Sequence, residues 1–301
     1  MRELTYTIAP EQDGISVKTF LRRAQGMSSR VLIRLKKMPG GITVNGAPVH
    51  VPHILHTGDR LVLRLADEQP ETIPAELPLQ IAYEDDDLLI ADKPPGMPTH
   101  PHGVHRTDTL ANAVAAHYKR NGLHARVRPL YRLDADTSGL VVFAKHAAAA
   151  QTQIDKRYYA IVSCAPGALA QQGTVDLPLG RPDPGSIRRA VLPDGQHAIT
   201  HYRVLAQEDG YAHLALQLQT GRTHQIRAHF AHIGCPLLGD RLYGGATELI
   251  ARQALHCGAL TLIHPVTGKR LAFYCPFPED YKTCLRTVRL PVVAPSHNEF
   301  S

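Results

Sequence analysis

The chain has 301 residues, of which 44% are hydrophobic and 20% charged. Thirty-three Lys and Arg against 27 Asp and Glu leave a net charge of +6, and the isoelectric point lies near 9.1. This composition excludes wholesale disorder, provides for about two packed domains, and points to an anionic partner, nucleic acid first and an acidic membrane surface second.

Residues 1–66 carry ten basic and four acidic side chains, a surplus equal to that of the whole chain. Residues 67–92 hold nine acids and no Lys or Arg, and residues 93–301 return to 23 basic against 14 acidic. The acidic, Pro-containing stretch marks a boundary. We place a linker at 67–78, a first domain at 1–66, a larger one at 79–290 and a loose tail at 291–301. The acidic segment is expected to face away from any bound polyanion.

In the first block Val17, Phe20, Leu21 and Ala24 fall at the spacing of one buried helical face, and Ser28 or Ser29 is placed to cap a second helix that Gly40 and Gly41 stop. Arg30, Arg34 and Lys37 share a face of that second helix. Ile42 to Val44, then Asn45-Gly46, reads as a hairpin with a type I′ turn, and Arg60 to Leu65 alternates as a strand.

From residue 79 the pattern becomes short apolar strands with few helices. Leu79 to Tyr83 and Leu88 to Ala91 flank a three-Asp turn, Leu110 to Tyr118 has helical spacing, and Leu140 to Ala144, Tyr158 to Cys164, Ala198 to Ala206 and Tyr211 to Gln219 read as strands. The expected class is α+β, with a large mixed, mostly antiparallel sheet and a small N-terminal α/β domain.

Two segments offer chemistry. RLDADTSG at 132–139 sets a polar loop directly before an apolar strand, so a rigid element anchors a loop carrying Asp134 and Asp136; by itself it also fits an Asx or ST turn. TGRTHQIRAHFAHIG at 220–234 follows a strand. There Thr223 is placed to cap a helix and to leave Arg222 near the positive helix start, facing a carboxylate or phosphate, with Arg227 about one turn on. His224, His229 and His232 lack HExxH spacing and a nearby acid, so core or surface roles are favoured over metal ligation.

The five cysteines form no CxxC pair, which predicts reduced thiols in a cytosol. With neither a signal-peptide pattern at the N-terminus nor about 18 uncharged apolar residues in succession, a cytoplasmic location is expected.

The first block resembles the small RNA-binding module named after ribosomal protein S-four, through FLRR at 20–23, Ser29-Arg30, ITVNG at 42–46 and Gly58-Asp59. This implies structured RNA as its ligand, with Arg22, Arg23, Arg30, Arg34 and Lys37 as contacts. Residues 79–280 resemble the RluA-type pseudouridine synthases. The likeness rests on the two long motifs and on YEDDDLLIADKPPGM at 83–97 with His100-Pro101, KRYYA at 156–160, GDRLYG at 239–244, and RQALH at 252–256 with His264-Pro265. Tyr131 departs from the His often found before Arg-Leu-Asp.

The resemblance implies an isomerase that breaks the uridine N-glycosidic bond, turns the uracil and rejoins it through carbon 5. Asp134 would start the reaction, by attack on the sugar or by proton abstraction to a glycal. Arg222 would pair with Asp134, and Tyr158 would stack on the base and assist proton transfer. Arg132 would fill the stack vacated by the flipped base, or else contact a phosphate or Asp136, and Arg227 would contact RNA. Tyr159 alternates to the other face and is expected to pack.

No cofactor or metal is called for, in keeping with the lack of a P-loop, a GxGxxG after a strand or a zinc ligand set. Large-subunit rRNA is the expected substrate, with tRNA the alternative, and a monomer is expected. The competing readings are a non-catalytic RNA-binding or ribosome-assembly protein on the same fold, and a hydrolase using Asp136 as a second carboxylate.

Overall fold

The computed structural model describes residues 2–297. It opens with β1 (Arg2–Thr7), then α1 (Val17–Thr19), which runs on as a π turn over Phe20–Ala24, then α2 (Ser29–Lys37), β2 (Ile42–Val44), β3 (Ala47–Pro48) and β4 (Arg60–Leu65). The four strands form one antiparallel sheet in the order β1-β4-β2-β3.

Local chemistry explains most of this unit. Ser28 caps α2 by accepting the Val31 N–H on its hydroxyl. Asn45 and Gly46 take φ of 52° and 83°, the left-handed pair a type I′ turn needs. The π register inserts one residue per turn, so the expected helical face ends early: Val17, Phe20 and Leu21 are buried, Ala24 is exposed, and Met27 enters the core instead. Burying Phe20 and Leu21 contributes roughly 1.5–3 kcal/mol each.

The second sheet gathers β5 (Gln80–Glu84), β6 (Leu88–Lys93), β7 (Arg128–Pro129), β8 (Ser138–Ala144), β9 (Ile154–Ser163), β10 (Gln172–Asp176), and, past a small ribbon of β11 (Leu179–Gly180) and β12 (Ala190–Val191), β13 (Ile199–Glu208), β14 (Tyr211–Leu218), β15 (Leu255–Ile263) and β16 (Arg270–Tyr274). Its main path runs β10-β13-β14-β9-β15-β8-β6-β5, with β16 on β15 and β7 on β8. Only the β8–β15 pair is parallel; the expected mixed, mostly antiparallel α+β architecture is what is found.

Three helices cover this sheet: α3 (Leu110–Arg120), α4 (Gln225–His232) and α5 (Glu279–Thr287). The central strands are apolar along their length because both faces are covered. Ala111, Val114 and Tyr118 of α3 and Ile226 and Phe230 of α4 pack on the face that carries Tyr158. Tyr281 and Leu285 of α5 pack on the face that carries Tyr159. That alternation decides which tyrosine reaches the site.

The two sheets are joined by side chains. Arg2 donates to both carboxylate oxygens of Asp87 at 3.1 and 3.2 Å, and Ala148 completes the core of the first sheet. In the acidic segment Glu68 turns back and pairs with Arg34 of α2 and with Arg128 of β7. Residues 291–297 carry no regular element, yet Ser296 donates its N–H to the Tyr159 hydroxyl at 2.7 Å, so this stretch lies on the sheet. Among the described residues no helix is long and apolar enough to cross a membrane.

Candidate active site

The loop at 130–137 leaves β7 and returns as β8, its neighbouring strand, and four side chains from elsewhere pin it. Thr99 donates its hydroxyl to the Leu133 carbonyl at 2.9 Å and accepts the Leu133 N–H at 3.0 Å. Lys93, fully buried, donates to the carbonyls of Pro94, Met97 and Ala135 at 2.8, 2.7 and 2.6 Å. Arg252 donates to the Asp136 carbonyl at 3.0 Å while forking onto Asp280 at 2.6 and 2.9 Å. Gln253 donates to the Thr137 hydroxyl at 3.3 Å.

Burial pulls Lys93 down to about 7, but its three acceptors are carbonyls, which hold an ammonium rather than an amine. The loop ends on Gly139, at φ of 112°, where a Cβ would stand 2.2 Å from the Cys257 carbonyl of β15. Only glycine lets the parallel strands close there. Asp134 is thereby held by its neighbours' backbone on both sides.

The opposite wall is the entry to α4. The expected Thr223 cap is not formed. Gln225 accepts the Arg222 N–H and the Thr220 hydroxyl on its side-chain oxygen, both at 2.9 Å, and His224 is the N-cap residue, in the left-handed region at φ 54°. That turn sets the first helical turn one step later than the sequence implies.

As a result Arg227, not Arg222, meets Asp134. The Arg227 guanidinium donates to Asp134 Oδ2 at 3.0 Å and forks onto Asp240 at 2.7 and 2.8 Å. Burial acts against its charge, and the Asp240 and Asp134 carboxylates more than offset that, holding it cationic. Arg227, expected to contact RNA, is here buried and spends three donors on two carboxylates. Arg222 is exposed, lines the same pocket, and gives its Nε–H to the His197 carbonyl at 3.1 Å.

The pocket between these walls has a volume of about 310 Å³ and is lined by Arg132, Asp134, Lys156, Tyr158, Arg222 and His224 among others, a size that suits a nucleoside. Tyr158 sits on β9, in register with Leu216 and Cys257. Burial, then the Cys257 thiol and the Asp134 charge, raise its phenol well above the ordinary range. It presents a ring and not a base. Tyr131 anchors its hydroxyl on the Leu140 carbonyl at 2.7 Å, and the Lys156 ammonium stands 4.4 Å over its ring. Tyr159 packs edge-on against Phe277 on the far face.

Of the basic residues singled out in the first block, Arg22, Arg23, Arg30 and Lys37 are exposed on α2 and the turn before it, while Arg34 is tied to Glu68. His229 is used structurally, between the Thr200 hydroxyl and the Leu177 carbonyl, both at 2.9 Å. Sequence reasoning assigned no role to Lys93, Thr99, Asp240, Tyr243 or Arg252, and gave His224 only a core or surface place. All lie in or next to quoted motif runs; their partners are remote in the chain, which is why no spacing revealed them.

One cluster has the composition of a metal site: Asp85, Asp87 and His264. Its hydrogen bonds argue against ligation. His264 accepts the N–H groups of Val266 and Thr267 on Nδ1 at 3.2 and 3.1 Å, so Nε2 carries the proton and donates to Asp85 Oδ2 at 2.8 Å. No imidazole lone pair is left for an ion. The cluster ties the β5–β6 turn to the turn after β15.

Known proteins resemble this chain over most of its length. The model of the RNA pseudouridylate synthase family matches residues 87–232, the span holding the 132–139 loop and α4. A Bacillus subtilis protein, "Uncharacterized RNA pseudouridine synthase YjbO", is 42% identical over 87% of this chain and 95% of its own. The chain belongs to the RNA pseudouridine synthase family. The synthase is therefore an isomerase that modifies RNA. It is also 39% identical to "Ribosomal large subunit pseudouridine synthase D" of Pseudomonas aeruginosa, over 83% of this chain and 84% of that one. Among solved structures, "Human RNA Pseudouridylate Synthase Domain Containing 4" superimposes with a TM-score of 0.55 at 25% identity, covering 70% of this chain and 94% of its own.

Proposed function

We propose that the synthase converts specific uridines of large-subunit ribosomal RNA to pseudouridine, with Asp134 as the carboxylate that opens the glycosidic bond. The observation that carries this reading is the Asp134–Arg227–Asp240 array facing the pocket. A cation wedged between two carboxylates fixes Asp134 in place and matches its charge, so the free oxygen points at whatever sugar enters. Attack on the sugar and abstraction to a glycal both begin from that oxygen.

Large-subunit rRNA is favoured because several relatives that align with most of this chain carry the name "Ribosomal large subunit pseudouridine synthase D". In this reading the target base is flipped out at a cost of a few kcal/mol. Tyr158 stacks on it, and the exposed Arg132 at the pocket rim fills the vacated stack. Residues 1–66 act as an S-four-like docking module, with Arg22, Arg23, Arg30 and Lys37 free to meet phosphates.

Mapping pseudouridines in total RNA from cells with and without the synthase tests the substrate. The expected result is loss of discrete sites in large-subunit rRNA. An unchanged rRNA map with lost tRNA sites would overturn the rRNA assignment.

A further inference from the structure

Rejoining the uracil through carbon 5 leaves a hydrogen on that carbon that must depart. The C5–H bond breaks, its electron pair restores the C5–C6 double bond, and nitrogen 1, released from the sugar, takes up a proton. The group that receives the carbon-5 proton has to border the base, hold a free lone pair at neutral pH, and have a nearby negative charge for the cation it becomes.

Three pocket side chains border the base site. Tyr158 is excluded as a base by its buried, protonated phenol. Burial lowers the Lys156 ammonium from its ordinary range, but it stands over the Tyr131 ring, a contact that favours its charged form and directs it at that ring. His224 meets every requirement. Its Nε2 lies 3.9 Å from Asp134 Oδ2. Its Nδ1 is 3.2 Å from the Tyr243 hydroxyl, which accepts the Arg189 N–H at 2.7 Å, so Nδ1–H can donate to Tyr243 and leave Nε2 free. The two rings pack edge to face at 5.8 Å, which fixes the imidazole plane.

The backbone adds a second observation. At φ 54° and ψ 22° His224 occupies the left-handed region, which strains a non-glycine residue. Glycine would make the same turn without strain, so the turn itself does not call for an imidazole.

We infer that His224 accepts the carbon-5 proton on Nε2, an assignment that rests on the synthase reading above. The imidazolium forms beside Asp134, whose carboxylate charge has by then been restored, either by leaving the sugar or by returning the proton it took. The proton then passes to solvent while nitrogen 1 gains one, so the enzyme ends as it began. Burial holds the imidazole below the ordinary histidine range, Asp134 and Asp240 oppose that, and Arg227 and Arg189 reinforce it. The free base is the resting form at neutral pH.

The test uses His224→Asn, since asparagine tolerates left-handed backbone but accepts no proton, with RNA carrying uridine deuterated at carbon 5. The expected result is a turnover loss of roughly 100- to 10,000-fold, RNA affinity within a few-fold of wild type, and a deuterium isotope effect on kcat larger than that of the wild type. His224→Gly shows the same loss and regains turnover when imidazole is added. An isotope effect no larger in His224→Asn than in wild type overturns the assignment, as does wild-type turnover in either variant. Failure of the wild-type protein to form any pseudouridine would instead overturn the synthase reading itself, so the two failures are distinguishable.

Discussion

Asp240 is the residue through which the site's electrostatics is best probed, because it is 1% exposed and out of reach of any substrate. It takes two of the three carboxylate bonds of Arg227, at 2.7 and 2.8 Å, and Asp134 takes the third at 3.0 Å. In Asp240→Asn the amide oxygen keeps one bond, and the amide NH₂ faces a guanidinium donor. Breaking a buried ion pair from one side costs about 3–5 kcal/mol. Because Asp134 still opposes the charge, about half of that is expected, roughly 2–3 kcal/mol. For a chain of this size that corresponds to a fall in Tm of roughly 4–10 °C.

The guanidinium, no longer held from behind, shifts toward Asp134. A misplacement of about 1 Å can cost about 100-fold in rate, so kcat should fall roughly 10- to 100-fold at 25 °C, well below the melting point, with RNA affinity unchanged. Thermal unfolding and single-turnover pseudouridine formation read the two effects separately. Arg227→Lys should behave similarly, since one ammonium does not reproduce the fork on Asp240 together with the bond to Asp134. Wild-type Tm and kcat in Asp240→Asn would refute the reasoning.

Arg222→Ala should weaken RNA binding with kcat at saturating RNA nearly unchanged, because Arg222 is exposed and its side chain donates to the His197 carbonyl rather than to Asp134; a fall in kcat equal to that of Arg227→Lys would contradict this. Replacing Arg30 and Lys37 with Glu should flatten the salt dependence of binding by about 0.7–0.9 in log–log slope per lost phosphate contact, read by binding titrations at several salt concentrations. An unchanged slope would reduce those side chains to solubilising charge. His213 is buried with no hydrogen-bond partner among the described residues, and burial lowers it from 6.5 to about 4. Between those values the unfolded chain binds a proton that the folded chain does not. Stability therefore falls as pH drops through that window, by about 3 kcal/mol at its foot. Denaturant unfolding of His213→Phe at pH 7 and pH 5 should show a shallower loss than wild type, and an equal loss would rule His213 out as the source.

What the sequence made legible was local. The Asn45-Gly46 turn, the Ser28 cap and the apolar runs that became β6, β8, β9 and α3 each depend on a few neighbouring residues, and each is formed. The two long motifs and the KRYYA run placed Asp134, Tyr158, Arg132, Arg222 and Arg227 around one pocket. What the sequence did not show was set by contacts that a spacing argument does not contain, some local and some remote. That Arg227 and not Arg222 meets Asp134 follows from Gln225 bonding back to Thr220 and Arg222, and from the strained turn at His224, neither of which a helical-spacing argument contains. Asp240 and Arg252 bond across 13 and 116 residues respectively, to Arg227 and to the Asp136 carbonyl. Glu68 folds back on α2 because Arg128, from a different strand, draws it there. β1 went unread because its short Leu4-Tyr6 alternation becomes a strand only by pairing with β4, some sixty residues on.

The central claim, that Asp134 opens the glycosidic bond of an RNA uridine, is tested most directly by tritium release from large-subunit rRNA labelled at carbon 5 of uridine, comparing wild type with Asp134→Asn at matched RNA saturation. The account predicts release in step with pseudouridine formation by the wild type, and none above background from Asp134→Asn, which still binds the RNA. Release by Asp134→Asn at the wild-type rate would contradict it.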